Sequence, residues 1–119
     1  MGKKPDNLQG ALDLLILITL ASRGPMHGYG IAVHIERVSG DALKVEEGSL
    51  YPALHRIEQM GWINSQWKMT ENRRQAKYYH LTPAGQKRLT EEEKAWQAVT
   101  DAVARVLKYT AQPAAAAES

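Results

Sequence analysis

Cysteine is absent from the 119 residues. That excludes a disulfide scaffold, a thiolate metal site and a cysteine nucleophile, and it suits a reducing cytoplasm. Long apolar runs are missing as well. The longest, LLILITL from Leu14 to Leu20, is bracketed by Asp13 and Arg23. It falls far short of the roughly 20 residues that span a bilayer, so no membrane partner is expected and the run reads as a buried core helix. The opening MGKKPDNLQG has basic residues with no apolar segment behind them, which is not the pattern of a secretory signal. The four histidines, His27, His34, His55 and His80, include no pair three or four residues apart, so no metal site is expected. Ser49 has no evident base, and neither a G-x-S-x-G, a Walker A nor a G-x-G-x-x-G pattern occurs. HGYG has two glycines but no phosphate-loop context. No catalytic residue, no cofactor and no enzymatic role are expected.

Excess charge of one sign is also lacking. The formal net charge is +2 and the pI about 8.9, which permits a nucleic-acid partner without arguing for one; the distribution of charge decides. A mass of 13.3 kDa fits one domain with one modest core.

Residues Leu8 to Ser22 predict a first helix, apolar on most sides. In a small chain such a helix is central and also meets a second subunit. RGPMHGYG interrupts it. Ile31, Ile35 and Val38 follow at helical spacing and predict a second helix from about His27 to Ser39. SGD ends it, and ALKVEE reads as a brief extended link.

The third helix lies in GSLYPALHRIEQMGWI, Gly48 to Ile63, and Gly61 stops it. At 100° per residue, Leu50, Ala53, Leu54 and Ile57 form its core stripe. Ser49, Tyr51, Pro52, His55, Arg56 and Gln59 fall on the other side. That face carries hydrogen-bonding groups, one ring and one cation, with no carboxylate until Glu58 at its edge. A helix in a DNA major groove needs such groups, without negative charge turned toward phosphates. The proline fits if Ser49 is the N-cap, because Pro52 then stands at N3, where no intrahelical bond is lost. A start as early as Glu47 would break one. The Ser49 start also leaves free N–H groups beside Tyr51, an end suited to a phosphate. A plainer reading stands beside it: Ser49 only caps and Tyr51 only packs.

WINSQWKM alternates with the period of a strand, and AKYYHL is a second strand. TENRRQ between them makes a β-hairpin. From Lys68 to Lys77 four cations (Lys68, Arg73, Arg74, Lys77) face one acid, Glu71, so the hairpin is more basic than the chain. Arg73 and Arg74 at its tip suit phosphates or a narrow minor groove, or form a solvated cluster. Thr82 is the expected N-cap of the last helix, with Pro83 at N1. That helix runs from about Pro83 to Tyr109. Trp96, Val99, Val103 and Val106 mark a heptad seam, with Leu89 one heptad earlier. Two readings stand for Trp96: it fills core space, or with its symmetry mate it lines a pocket for a flat apolar ligand. Glu91, Glu92 and Glu93 read as a solvated helix face.

Three stretches, HGYGIAVHI, EEGSLYPALHRIEQMGWI and RRQAKYYHLTPAGQKRL, together resemble the PadR family of transcriptional regulators. The match is to the short members with one C-terminal helix, in particular the acidobacterial-type subgroup, and it covers Leu8 to Leu107. The resemblance implies a winged helix-turn-helix homodimer that binds an inverted-repeat operator and usually represses. It places Ser49, Tyr51, Pro52 and His55 on the recognition helix, Tyr29 against the DNA backbone, Arg73 and Arg74 in the wing and Lys77 on its return strand. It also makes the last helix a dimerisation helix, and it adds a planar aromatic effector between subunits.

The expected fold is mainly α with a small β-hairpin: a winged helix-turn-helix over 8–82, a dimerisation helix over 83–110, and flexible tails at 1–7 and 111–119. Candidate DNA contacts are Tyr29, Ser49, Tyr51, Pro52, His55, Arg56, Gln59, Arg73, Arg74 and Lys77. The candidate dimer interface is Leu8, Leu12, Leu89, Trp96, Val99, Val103, Val106 and Leu107. The expected partners are double-stranded DNA, a second copy and a small aromatic effector at Trp96. The rival class is a winged-helix module that binds a protein or small molecule without DNA; a MarR-like sensor is a further alternative, disfavoured by the lone C-terminal helix.

Overall fold

The computed structural model describes residues 6–110, with side chains over 11–109. In chain order the elements are α1 (Asp6–Arg23), β1 (Met26–His27), α2 (Gly28–Val38), α3 (Glu47–Gln59), β2 (Ile63–Met69), β3 (Gln75–Leu81) and α4 (Pro83–Thr110). The tail expected at 111–119 lies outside the described residues. Of the tail expected at 1–7 only Asp6 and Asn7 are described, as the first residues of α1.

An all-round apolar helix has to be covered on several sides, and α1 is. Leu14, Ile16, Leu17 and Leu20 are buried, in contact with α2, α3, β3 and α4. Ile31 and Ile35 of α2 and Leu50, Ala53, Leu54 and Ile57 of α3 close the core with Ile63, Tyr79 and Leu89. Each fully buried leucine or isoleucine contributes about 2 kcal/mol. Among the described residues no helix is long and apolar enough to cross a membrane.

The sheet has three strands in the order β1-β3-β2, all antiparallel. The hairpin expected from the sequence is β2–β3. The short β1 adds to its far edge through Met26↔Tyr79 and His27↔Tyr78. Two residues carry no readable period, so β1 is invisible in sequence; it also takes His27 out of the second helix, where His27 becomes the N-cap. His27 Nδ1 accepts from Gly30 N–H at 3.0 Å. Helix α3 ends as expected at Gly61, whose φ is +82°. Trp62 N–H donates to the Ile57 carbonyl and Gly61 N–H to that of Glu58, the paired bonds of a Schellman stop.

The start of α3 differs from expectation. The helix begins at Glu47, with Glu46 in the N-cap position and no side-chain cap, and Pro52 lies inside it. Ser49 is a helical residue whose N–H donates to the Glu46 carbonyl. Pro52 removes only the bond to the Gly48 carbonyl, four residues back. Gly48 and Pro52 are both exposed, so that carbonyl lies where water reaches it. The loss is tolerable there, and the proline does not fix the helix start.

Thr82 caps α4 as expected. Its hydroxyl accepts from Gly85 N–H at 3.0 Å and donates to the Gly61 carbonyl at 2.6 Å. Its own N–H donates to the Trp62 carbonyl at 3.1 Å. This stitches the first turn of α4 to the entry of β2. A Cβ on Gly85 would stand 1.9 Å from the Trp62 carbonyl oxygen, so only glycine fits. Gly85→Ala is expected to destabilise the fold by about 3 kcal/mol, read as a lower urea midpoint. An unchanged midpoint would mean that the Trp62 carbonyl moves aside freely.

Candidate nucleic-acid interface

Burial of the α3 stripe turns its other face outward. Ser49, Tyr51, Pro52, His55 and Gln59 are all exposed. Tyr51 is 43% exposed because its ring rests on the start of α2. A Cβ on Gly28 would stand 2.8 Å from Tyr51 Cε1, so the first glycine of HGYG is the seat for that ring. Beside it Tyr29 is 68% exposed, and its ring stacks on His27 at 6.5 Å. His27 in turn meets Tyr78 edge-on at 5.3 Å.

The hairpin stands across from α3. Between them lies a cleft of about 390 Å³ lined by His27, Gly28, Tyr29, Tyr51, Trp67, Ala76, Lys77 and Tyr79. No carboxylate is among the lining residues. Arg73 and Arg74 are exposed in the turn. Thr70 N–H donates to the Arg74 carbonyl at 2.7 Å and Arg73 N–H to that of Thr70. Arg73 takes a positive φ of 60°. Lys68 Nζ lies 5.8 Å from the Tyr78 ring.

Two of the expected contacts are engaged within the chain. Arg56 Nη1 and Nη2 donate to Asp13 Oδ2 and Oδ1 at 2.8 and 2.9 Å, a bidentate pair between α3 and α1. Those hydrogen bonds raise the Arg56 guanidinium above the usual arginine value, against a smaller lowering by burial. Arg56 therefore faces α1 rather than the outer surface. Asp13 was the signal: a carboxylate inside an apolar run needs a buried partner. Lys77 Nζ lies 3.6 Å from Glu58 Oε1 and 5.8 Å from the Tyr79 ring. Glu58 also accepts from the Ser65 hydroxyl at 2.6 Å. Burial, reinforced by the charge on Glu58, pushes the Tyr79 phenol up, so it stays neutral.

The end of α3 is not the phosphate site expected beside Tyr51. With the earlier start, the N–H groups left over are those of Glu47 and Gly48, next to the carboxylates of Glu46 and Glu47. Trp67, on the cleft wall, was not singled out by the sequence reading.

On α4, Leu89 is only 2% exposed and belongs to the core of the single chain, which removes it from the expected seam. Trp96 and Leu12 are partly buried against that core. Val99, Val103, Val106 and Leu107 are exposed, as is every residue from Gln97 to Tyr109. The Leu8 side chain lies outside the described residues. Arg88 packs over the Trp62 ring at 4.8 Å and pairs with Glu91 at 3.6 Å and with Glu92, so part of the acidic run serves an ion-pair cluster.

Comparison with known proteins points to one family. Residues 16–91 match the model of the transcriptional regulator PadR-like family. A transcriptional regulator of Mycobacterium tuberculosis is 30% identical over 103 residues, covering 87% of this chain and 92% of that protein. An uncharacterized 37.1 kDa protein in a Streptomyces fradiae transposon is 40% identical over 79 residues, 66% of this chain; the match spans only 21% of that longer protein. Among solved structures, a transcriptional regulator from Clostridium thermocellum superposes with a TM-score of 0.75 at 28% identity, covering 85% of this chain and 97% of that one. A PadR-like transcriptional regulator from Bacillus cereus gives 0.72 at 28%, covering 87% and 97%.

Removing one partner of the Asp13–Arg56 pair leaves the other without its counter-charge. Asp13→Ala is expected to destabilise the chain by about 2 kcal/mol, less than a fully buried pair because the Arg56 side chain reaches solvent. Thermal melts of the single and double variants at both positions check it. Additive losses would show that the two side chains are not coupled.

Proposed function

The chain belongs to the PadR-like family of transcriptional regulators, and from there we propose that it is a sequence-specific DNA-binding repressor. In this reading it works in the cytoplasm as a homodimer on an inverted-repeat operator. The observation that carries it is the shared cleft. The Tyr51 side of α3 and the basic hairpin flank one concavity whose lining residues include no carboxylate, as a helix in the major groove and a wing beside it require; the Glu47 carboxylate stands one turn before Tyr51, at the start of the helix. Tyr51 and His55 read or brace bases, with Ser49, Pro52 and Gln59 beside them. Tyr29 meets the backbone, and Arg73 or Arg74 reaches the minor groove. Lys77 contributes less to phosphates than its charge suggests, since Glu58 already faces it.

The dimer is supported by α4. From Gln97 to Tyr109 every residue of the helix is exposed, and Val99, Val103 and Leu107 line one apolar edge. A lone helical arm of about 13 residues is marginal in water, and a second α4 covers that edge with the same surface. Trp96 is only partly covered by its own protomer, which supports a planar aromatic effector between the two subunits that releases the operator.

The double change Arg73→Ala with Arg74→Ala is expected to lower the slope of log affinity against log salt by roughly two. Tyr51→Ala is expected to weaken a selected operator about tenfold while affecting mixed-sequence duplex less. Fluorescence anisotropy across a salt series measures both. No salt-dependent DNA binding by the unmodified chain would favour the rival module that binds a protein or small molecule.

Val103→Glu is expected to give monomers by sedimentation, with weakened operator binding and no tryptophan response to a planar cationic dye. Dimers that persist remove the α4 interface from the reading. A dye response that survives in monomers removes the effector.

A further inference from the structure

The strand register puts Ile63, Ser65, Trp67 and Met69 on one side of the sheet, opposite Leu81, Tyr79, Lys77 and Gln75. Near the base this side is the core: Ile63 and Tyr79 are buried. The hairpin then outruns the helices that cover it. Trp67 is 64% exposed and Met69 60%, on the same side. An exposed indole beside an exposed thioether, continuous with the core face, is the kind of surface that soluble proteins keep for a partner. Nothing within the fold requires a tryptophan at position 67.

The surroundings of Trp67 name the partner. Its cleft joins a broad apolar wall to the rings of Tyr29, Tyr51 and His27 and to Lys77, whose charge Glu58 partly offsets from 3.6 Å away, with no carboxylate among the lining residues themselves. A sugar–phosphate strand has that alternation in reverse: anionic phosphates separated by the apolar faces of deoxyribose. The placement fits as well. A duplex that takes α3 in its major groove and the hairpin tip in the adjacent minor groove has one backbone strand between the two grooves. The cleft lies between the same two elements.

We propose that this cleft holds one backbone strand of duplex DNA, with the Trp67 indole packed against a deoxyribose. The inference rests on the DNA-binding reading above and adds a contact of different physics. Phosphate contacts release counterions, so their strength falls with salt. Burial of an indole against a sugar releases none. Trp67 thus supplies a part of the affinity that salt leaves intact.

The test uses the full chain, a fluorescein-labelled duplex selected by it from a random pool, and a mixed-sequence duplex. Between about 50 and 200 mM salt, Trp67→Ala is expected to weaken both duplexes about tenfold with an unchanged salt slope. Trp67→Phe is expected to recover most of the loss. In that variant the change in tryptophan emission on adding DNA should vanish, since Trp62 lies under Arg88 and Trp96 on α4 against the core. Thermal melts of both variants should match the unmodified chain, because the side chain is mostly outside the core. Wild-type affinity in Trp67→Ala overturns the inference and leaves the DNA-binding reading standing. A flattened salt slope in Trp67→Ala overturns it too, as does loss of self-association with unchanged DNA affinity, which would make the cleft a contact between copies. If the unmodified chain binds neither duplex, the functional reading fails and this inference with it.

Discussion

Which side chains this molecule shows to its surroundings follows from the burial of one stripe. Leu50, Ala53, Leu54 and Ile57 of α3 have to leave water, and α1 is the apolar surface that receives them. A helix buried along one stripe has no freedom about its own axis. The outward position of Tyr51, His55 and Gln59 is therefore a result of packing, not a separate design. Arg56 marks the edge of the rule: it sits between the two faces, and Asp13 draws it inward with two hydrogen bonds. The ion pair tightens an orientation that the apolar stripe already sets.

The glycines of the molecule are contacts as much as turns. Gly85 admits a carbonyl where any side chain would collide, and Gly28 seats the ring of Tyr51. Each lies where two elements meet: α4 with β2, α2 with α3. Together with the Thr82 hydroxyl, which bridges Gly61 and Gly85, they hold hairpin and helices in register. The cleft between α3 and the hairpin is the space left once those approaches are made.

Much of this was legible in the sequence, and the reasons differ by element. The core stripe of α3, the alternation of β2, the Gly61 stop and the Thr82–Pro83 start each rest on local periodicity or local capping, so they could be read directly. The start of α3 is not legible from Pro52, because a proline forbids an earlier beginning only where the lost bond is buried; an exposed Gly48 makes the missing bond tolerable. Strand β1 was too short to carry a period. Leu89 has the spacing of a seam residue because a heptad cannot distinguish an interface between chains from the core of a single one. The roles of Arg56 and Lys77 depend on Asp13 and Glu58, and such pairings across elements have no sequence spacing to announce them. The alternation of WINSQWKM puts Trp67 on the same face as Ile63, but its exposure depends on how far the hairpin outruns the helices, which only the assembled fold reveals.

Helix α4 has a mechanical consequence. Its 28 residues make a rod about 42 Å long, clamped at its first turn by Thr82 and Gly85, packed on the core through Leu89 and Trp96 and exposed from Gln97 to Tyr109. Anything that grips the exposed part holds the long end of a lever whose fulcrum is the stretch packed on α1. A tilt of about 5° where the helix leaves the core sweeps the far end through roughly 2 Å, given about 13 residues of rod beyond that point. The converse holds as well: a small displacement at the far end becomes a rotation of α4 against α1, on which it packs. The rod thus acts as a gear, exchanging displacement at one end for angle at the other.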